Sequence, residues 1–172
     1  MKKVISVLLV VAAVAMMAVG CGGAKKAPLT DDLSTIIDKI YEQKDTDLNP
    51  STMPVDINDL DYALKAFTGL DSNELISDAV VSESMIGSIP YSMVLVRVKD
   101  AADAKTVAEQ MKSGIDQRKW ICVEADDMQV AGYADVVMLV MVGSEFAEDG
   151  LTSQAIVDAF AAVCPAELDF TI

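Results

Sequence analysis

Asp45, Asp47 and Asn49 stand at alternate positions and Asp56 follows at the twelfth, so the first chemistry the chain suggests is oxygen ligation of a calcium ion. Against it, Pro50 occupies the place where such a loop needs Gly, Pro54 stiffens the second half, and Asp56 is short for bidentate ligation. A solvated acidic loop is the preferred reading. Glu124, Asp126 and Asp127 form a second acidic group, and alternation on a strand puts Glu124 and Asp126 on one face. Two such carboxylates serve a hydrolase if burial separates their pKa values; a wet, charged edge strand is the plainer account. The third group is Arg118-Lys119-Trp120, in a chain with one tryptophan and two arginines. An exposed Trp beside cations suits an anionic glycan, a peptide carboxylate or a protein partner. The plainer account places both cations after a helix C-terminus, where positive charge is favourable, with Trp120 packed beneath.

Composition removes several alternatives. The 172 residues include no histidine, which excludes Ser-His and Cys-His nucleophiles and His-ligated metals. The net charge of −14 repels phosphate backbones, so nucleic acid is not an expected partner. Cys122 and Cys164 read as two inert buried thiols, and Ser82, Ser84, Ser88 and Ser92 stand in no Ser-x-x-Lys or Gly-x-Ser-x-Gly context. No catalytic residue is assigned and no cofactor is implied.

The N-terminus carries an address. Lys2 and Lys3 precede an apolar run over residues 4–19, interrupted only by Ser6, which is the layout of an export signal. The run is shorter than the roughly 20 residues of a membrane-spanning helix. Ala18-Val19-Gly20-Cys21 resembles a bacterial lipobox, which implies that Cys21 becomes the first mature residue and carries a diacylglyceryl group on its sulfur. The expected organisation is a lipoprotein signal peptide over 1–20, a lipidated Cys21 and tether over 21–30, and a single α+β domain over 31–172. The expected location is the extracytoplasmic face of the cell membrane, with the lipid anchor as the membrane contact.

Within that domain, Leu33, Ile36, Ile37, Ile40 and Tyr41 predict an amphipathic helix over 31–44, capped by Thr30. Residues 45–57 read as a loop. Leu60, Leu64 and Phe67 predict a shorter helix ended by Gly69, and Asp71 with Glu74 a further short turn. Val80-Val81 and 91–99 predict a hairpin, Ala104 to Ile115 a helix, 121–131 and 136–142 a second hairpin turning at Gly132-Tyr133, and 152–163 a last helix. The apolar runs 93–98 and 137–142 are offset by 44 residues and each precedes a helix, suggesting two ββα units. The economical architecture is two layers: one antiparallel sheet, both helices on one face, and N-terminal helices in addition.

The phrases Val80-Val81-Ser82-Glu83-Ser84-Met85, Ser92-Met93-Val94-Leu95-Val96-Arg97-Val98-Lys99, Gly114-Ile115-Asp116-Gln117-Arg118-Lys119-Trp120-Ile121-Cys122-Val123 and Asp135-Val136-Val137-Met138-Leu139-Val140-Met141 resemble lipoproteins that carry domain of unknown function 4358, from clostridial-type Gram-positive bacteria. The resemblance implies an exported, lipid-anchored, small protein, and no reaction or ligand. The expected function is that of a non-catalytic binding or accessory module of the cell envelope, meeting an envelope protein or extracellular ligand, with Arg118, Lys119 and Trp120 as the partner surface. The alternatives are a carboxylate-dependent extracytoplasmic hydrolase and a calcium-binding surface module.

Overall fold

The computed structural model describes residues 26–172; the signal, Cys21 and the first part of the tether lie outside the described residues. The first helix, α1, is Leu33–Gln43, and it begins one residue after Asp32, whose carboxylate accepts from the Thr35 N–H at 2.8 Å. Asp32 rather than Thr30 is the cap, because its side chain stands three residues before an unpaired amide. Four isoleucine and leucine side chains of α1 are buried on one face, as the spacing predicts.

Strand β1, Ser51–Pro54, occupies part of the expected loop. A π-helical turn, Leu60–Leu64, runs into the short helix α2, Lys65–Thr68, which ends at Gly69 with φ +76°. That left-handed conformation suits Gly alone here, because an added Cβ would meet the Met111 carbonyl oxygen at 2.7 Å. The turn expected at Asp71 and Glu74 is not helical: the Ser72 hydroxyl accepts from the Glu74 N–H, and the chain leads into β2. Strands β2, Ile76–Glu83, and β3, Tyr91–Val98, form the first hairpin, and α3, Ala104–Gly114, follows. The second hairpin is β4, Asp127–Tyr133, with β5, Val136–Val142. Its turn is Ala134-Asp135, with Ala134 at φ +49°, so Gly132 and Tyr133 belong to the strand. Helix α4, Ser153–Val163, is capped by Thr152, and a two-residue strand β6, Phe170–Thr171, completes the sheet.

All pairings are antiparallel, in the order β1-β2-β3-β5-β4-β6. The helices do not share one face. α1 and α4 bury Ile36, Ile40, Ile156 and Phe160 over Met93, Leu95 and Met138, while α2 and α3 lie on the opposite side with Val107 and Met111 over Val94, Val96 and Leu139. The fold is α+β in three layers, and the one-face, two-layer expectation is corrected. The reason lies in β3 and β5: they are apolar at nearly every position, so water must be excluded from both sides. Each fully buried large aliphatic or aromatic chain stabilises this arrangement by roughly 1.5–3 kcal/mol.

The suggested duplication also changes meaning. An offset of 44 residues superposes Met93, which faces α1 and α4, on Val137, which faces α3. Two antiparallel neighbours related by a rotation would keep equivalent residues on one face. The similarity of the two runs is therefore one of strand composition.

The chain enters through a strap over residues 26–31. Arg97 Nη1 donates to the Leu29 carbonyl at 2.7 Å and to Asp135 Oδ2 at 2.5 Å, and Nη2 donates to the Asp31 carbonyl at 2.7 Å. Lys26 pairs with Asp169 at 2.8 Å and lies 5.3 Å from the Tyr133 ring centre, and Leu29 is buried. The second half of the expected tether is thus packed on the sheet.

Candidate functional site

The strand register divides the molecule into two ends. Arg97 pairs with Val136, which places the strap and the Ala134-Asp135 turn at one end. Tyr91 pairs with Val142, Val142 with Asp127, and Glu83 with both Ser92 and Ser51, which gathers the loops 44–50, 84–90, 115–126 and 143–151 at the other. Seven residue steps along β3 separate the ends by about 23 Å. Arg118, Lys119 and Trp120 all belong to this second end.

They do different things. Arg118 is exposed and its guanidinium clamps Glu124 Oε2, with Nε at 2.7 Å and Nη2 at 2.6 Å. That hydrogen bond and the carboxylate charge raise the guanidinium pKa above its ordinary value. Lys119 points inward: its ammonium donates to Glu83 Oε1, which also accepts from the Ser92 hydroxyl at 2.7 Å. The Lys119 side chain is only 16% exposed and that of Glu83 15%. Desolvation pushes the ammonium below the usual lysine value, and the attraction of Glu83 opposes without cancelling. Phe67 and Trp120 flank Lys119 with ring centres 5.3 Å from Nζ. Lys119 is therefore a support beneath the surface, not a group that reaches a ligand.

Trp120 is half-buried, and with Arg118, Cys122, Val123 and Glu124 it lines an open groove of about 430 Å³. Cys122 turns the chain with φ +63°, which throws Ile121 outward, where it is 73% exposed. The Ile121 amide donates to the Gly87 carbonyl at 2.8 Å, and its side chain lies on the hairpin tip, 3.5 Å from where a Gly87 Cβ would stand. The adjoining Met85 and Ile86 are 70% and 58% exposed. Three of the five large apolar side chains exposed among the described residues thus meet at one tip, which distinguishes it from scattered surface hydrophobics. These three were not singled out in the sequence. The available signal was Met85-Ile86 inside a Gly- and Ser-containing turn, where no core periodicity accounts for apolar side chains.

The other sequence candidates do not assemble. Glu124 and Asp126 are not on one strand face, because β4 starts at Asp127. Glu124 is held by Arg118, whereas Asp126 accepts from the Ser144 N–H at 2.7 Å and hydroxyl at 2.9 Å, bonds that lower its pKa. Asp127 binds Ser153 at the start of α4. Each acid of this group fastens a different segment. Asp45 accepts from the Asp47 N–H and Asp56 from the Asn58 N–H, and the extended strand β1 lies between Asn49 and Asp56. Among the described residues, no group of three or more Asp, Glu, Cys or His side chains is gathered as a metal would require.

Cys122 is exposed, contrary to the expectation of two buried thiols, because the loop containing it lies outside the sheet. Cys164 is half-buried, and burial raises its thiol to about 12. Neither is in a disulfide. No helix among the described residues is long and apolar enough to cross a membrane. No family model, no curated protein and no solved structure matches the chain.

Proposed function

We propose that the chain is a lipid-anchored, extracytoplasmic binding module of the cell envelope, attached through Cys21 and engaging its partner with the tip formed by loops 84–90 and 115–126. The observation that carries this reading is the opposition of the two ends: the strap leading from the N-terminus is fastened at one, and the exposed apolar side chains with Arg118 and Trp120 are at the other. Five residue steps lead from Cys21 to Lys26, a reach of at most about 18 Å. An anchor at Cys21 keeps the strap end near the membrane and leaves the tip directed away from it. The lipoprotein character implied by residues 18–21, and the resemblance to lipoproteins with domain of unknown function 4358, belong to this proposal.

Binding fits the tip better than catalysis does. Arg118 and Glu124 neutralise each other, Lys119 is consumed by Glu83, and the exposed Met85, Ile86 and Ile121 are left beside the half-buried Trp120. Such a surface gains affinity by removing Met85, Ile86 and Ile121 from water, at roughly 25 cal/mol per Å² of apolar area. The anchor is tested by Cys21→Ser. Expected is release from the membrane fraction or retention of the uncut precursor; unchanged mass and fractionation overturn the anchored reading.

A further inference from the structure

We infer that the partner of this tip is a cationic polypeptide that inserts apolar side chains between Met85, Ile86, Ile121 and Trp120 while its basic residues meet the surrounding carboxylates. The proposal rests on the reading of the chain as an anchored binding module and adds the chemistry of what is bound. Its first observation is the apolar cluster itself, held out by the Gly87 carbonyl to Ile121 amide bond and the positive φ of Cys122. Its second is charge. The loops 44–50, 84–90, 115–126 and 143–151, all at this end of the sheet, carry eight carboxylates against Lys44, Arg118 and Lys119. Lys119 is buried against Glu83 and Arg118 is spent on Glu124, so the outward field at the rim is negative. Loop 84–90 contributes no charge at all, so these eight carboxylates all stand on the loops beside it.

A rim of that sign selects the occupant. It repels an anionic lipid surface or an anionic glycan and repels a second copy of the same acidic tip, whereas it steers a basic chain toward the apolar centre. The apolar centre then determines dissociation, because its contacts form only after docking.

Trp120 is the sole tryptophan of the chain and lines the groove, so its emission reads the tip directly. The full chain is held in phosphatidylcholine nanodiscs and titrated with a tryptophan-free amphipathic peptide of about 18 residues, leucine on one face and lysine on the other. Expected is a saturable blue shift, weakened about tenfold in affinity by raising salt to about 0.5 M, and absent with the same peptide carrying Glu for Lys. Ile86→Ser with Ile121→Ser should weaken it by a further tenfold or more, and the triple change Glu145→Lys, Glu148→Lys, Asp149→Lys should weaken it with the apolar centre intact. Both variants alter exposed side chains, and an unchanged thermal midpoint confirms that they fold. No blue shift with the lysine peptide, an equal response to the Glu peptide, or an undiminished response in the Ile variant overturns the proposal. A shift that follows protein concentration alone assigns the tip to a second copy, and one produced by phosphatidylglycerol vesicles alone assigns it to lipid; either overturns it too. Unchanged mass and fractionation of Cys21→Ser is a separate result, because the Trp120 titration still reports whether the tip prefers a cationic chain.

Discussion

Each end of the sheet holds a largely buried ion pair, and the two are used in different ways. At the strap end, Arg97 spreads its guanidinium over three acceptors from two segments, the Leu29 and Asp31 carbonyls of the strap and Asp135 of the β4–β5 turn. At the tip end, Lys119 places a single ammonium on Glu83 beneath Phe67 and Trp120. A planar fork joins strands to a passing chain, whereas a compact point charge holds one loop down over a hairpin. Arg97 thus fastens the entering chain and the β4–β5 turn together, whereas Lys119 fastens its loop to β2 alone.

The largest expected effect comes from breaking the strap end. Arg97→Met leaves Asp135 charged and without its cation, with Oδ1 already lacking a partner, and should destabilise by about 3–5 kcal/mol in urea unfolding, with faster protease cleavage near residues 26–31. Arg97→Lys should recover only part of this, since an ammonium cannot reproduce the fork. At the tip end, Lys119→Met strands Glu83 and should cost about 1–3 kcal/mol, and adding Glu83→Gln should return a portion of it. Equal losses at the two ends would break the comparison.

Alkaline pH should act on Cys164 and Lys119 with opposite signs. Near the strap, Cys164 is raised from 9.0 to about 12, so the unfolded chain loses that proton first and stability falls as pH climbs between those values. Half-buried Tyr41 and buried Tyr91, which share a hydrogen bond at the other end of β3, have raised values as well and act in the same direction as Cys164 above pH 10.0. Lys119 is lowered, so the unfolded chain holds its proton longer and stability gained from this group rises as pH passes from the folded value to about 10.4. Thermal midpoints from pH 8 to 11, at about half-unit steps, should fall less steeply in Cys164→Ala and more steeply in Lys119→Met. The smallest effect belongs to the tip surface: Ile121→Ser should change stability by no more than about 0.5 kcal/mol, because its side chain is exposed.

Much of this architecture could be read from residue spacing. The isoleucines of α1, the β-branched runs of β3 and β5, and Gly69 after α2 all specify local structure that survives in the fold, because the period and the required backbone conformation are properties of a few neighbouring residues. What local pattern could not supply was the side of the sheet on which each helix sits: Met93 and Val94 are equally apolar, and only the assembled layers show that they face opposite covers. The short edges β1 and β6 escaped for a related reason. Ser51–Pro54 has no buried alternation, and Phe170–Thr171 exists as a strand only because Gly132 leaves room for the Phe170 ring. At the candidate site, Arg118 and Trp120 were legible as a basic and aromatic concentration, while the inward turn of Lys119 depends on Glu83, 36 residues away in sequence. Ile121 becomes a tip residue only through the hairpin that meets it.

The fastening of residues 26–31 has a mechanical consequence. A pull on the N-terminal end would not peel the first helix from the body one turn at a time. It would be borne first by the Lys26 and Asp169 contact and then by Arg97, which delivers the load to the central strand β3 and, through Asp135, to the β5 hairpin. Those strands are the innermost and share seven paired positions. Tension arriving there is distributed over the middle of the sheet, so the end carrying Ile121 can keep its shape while the end carrying Arg97 is under strain.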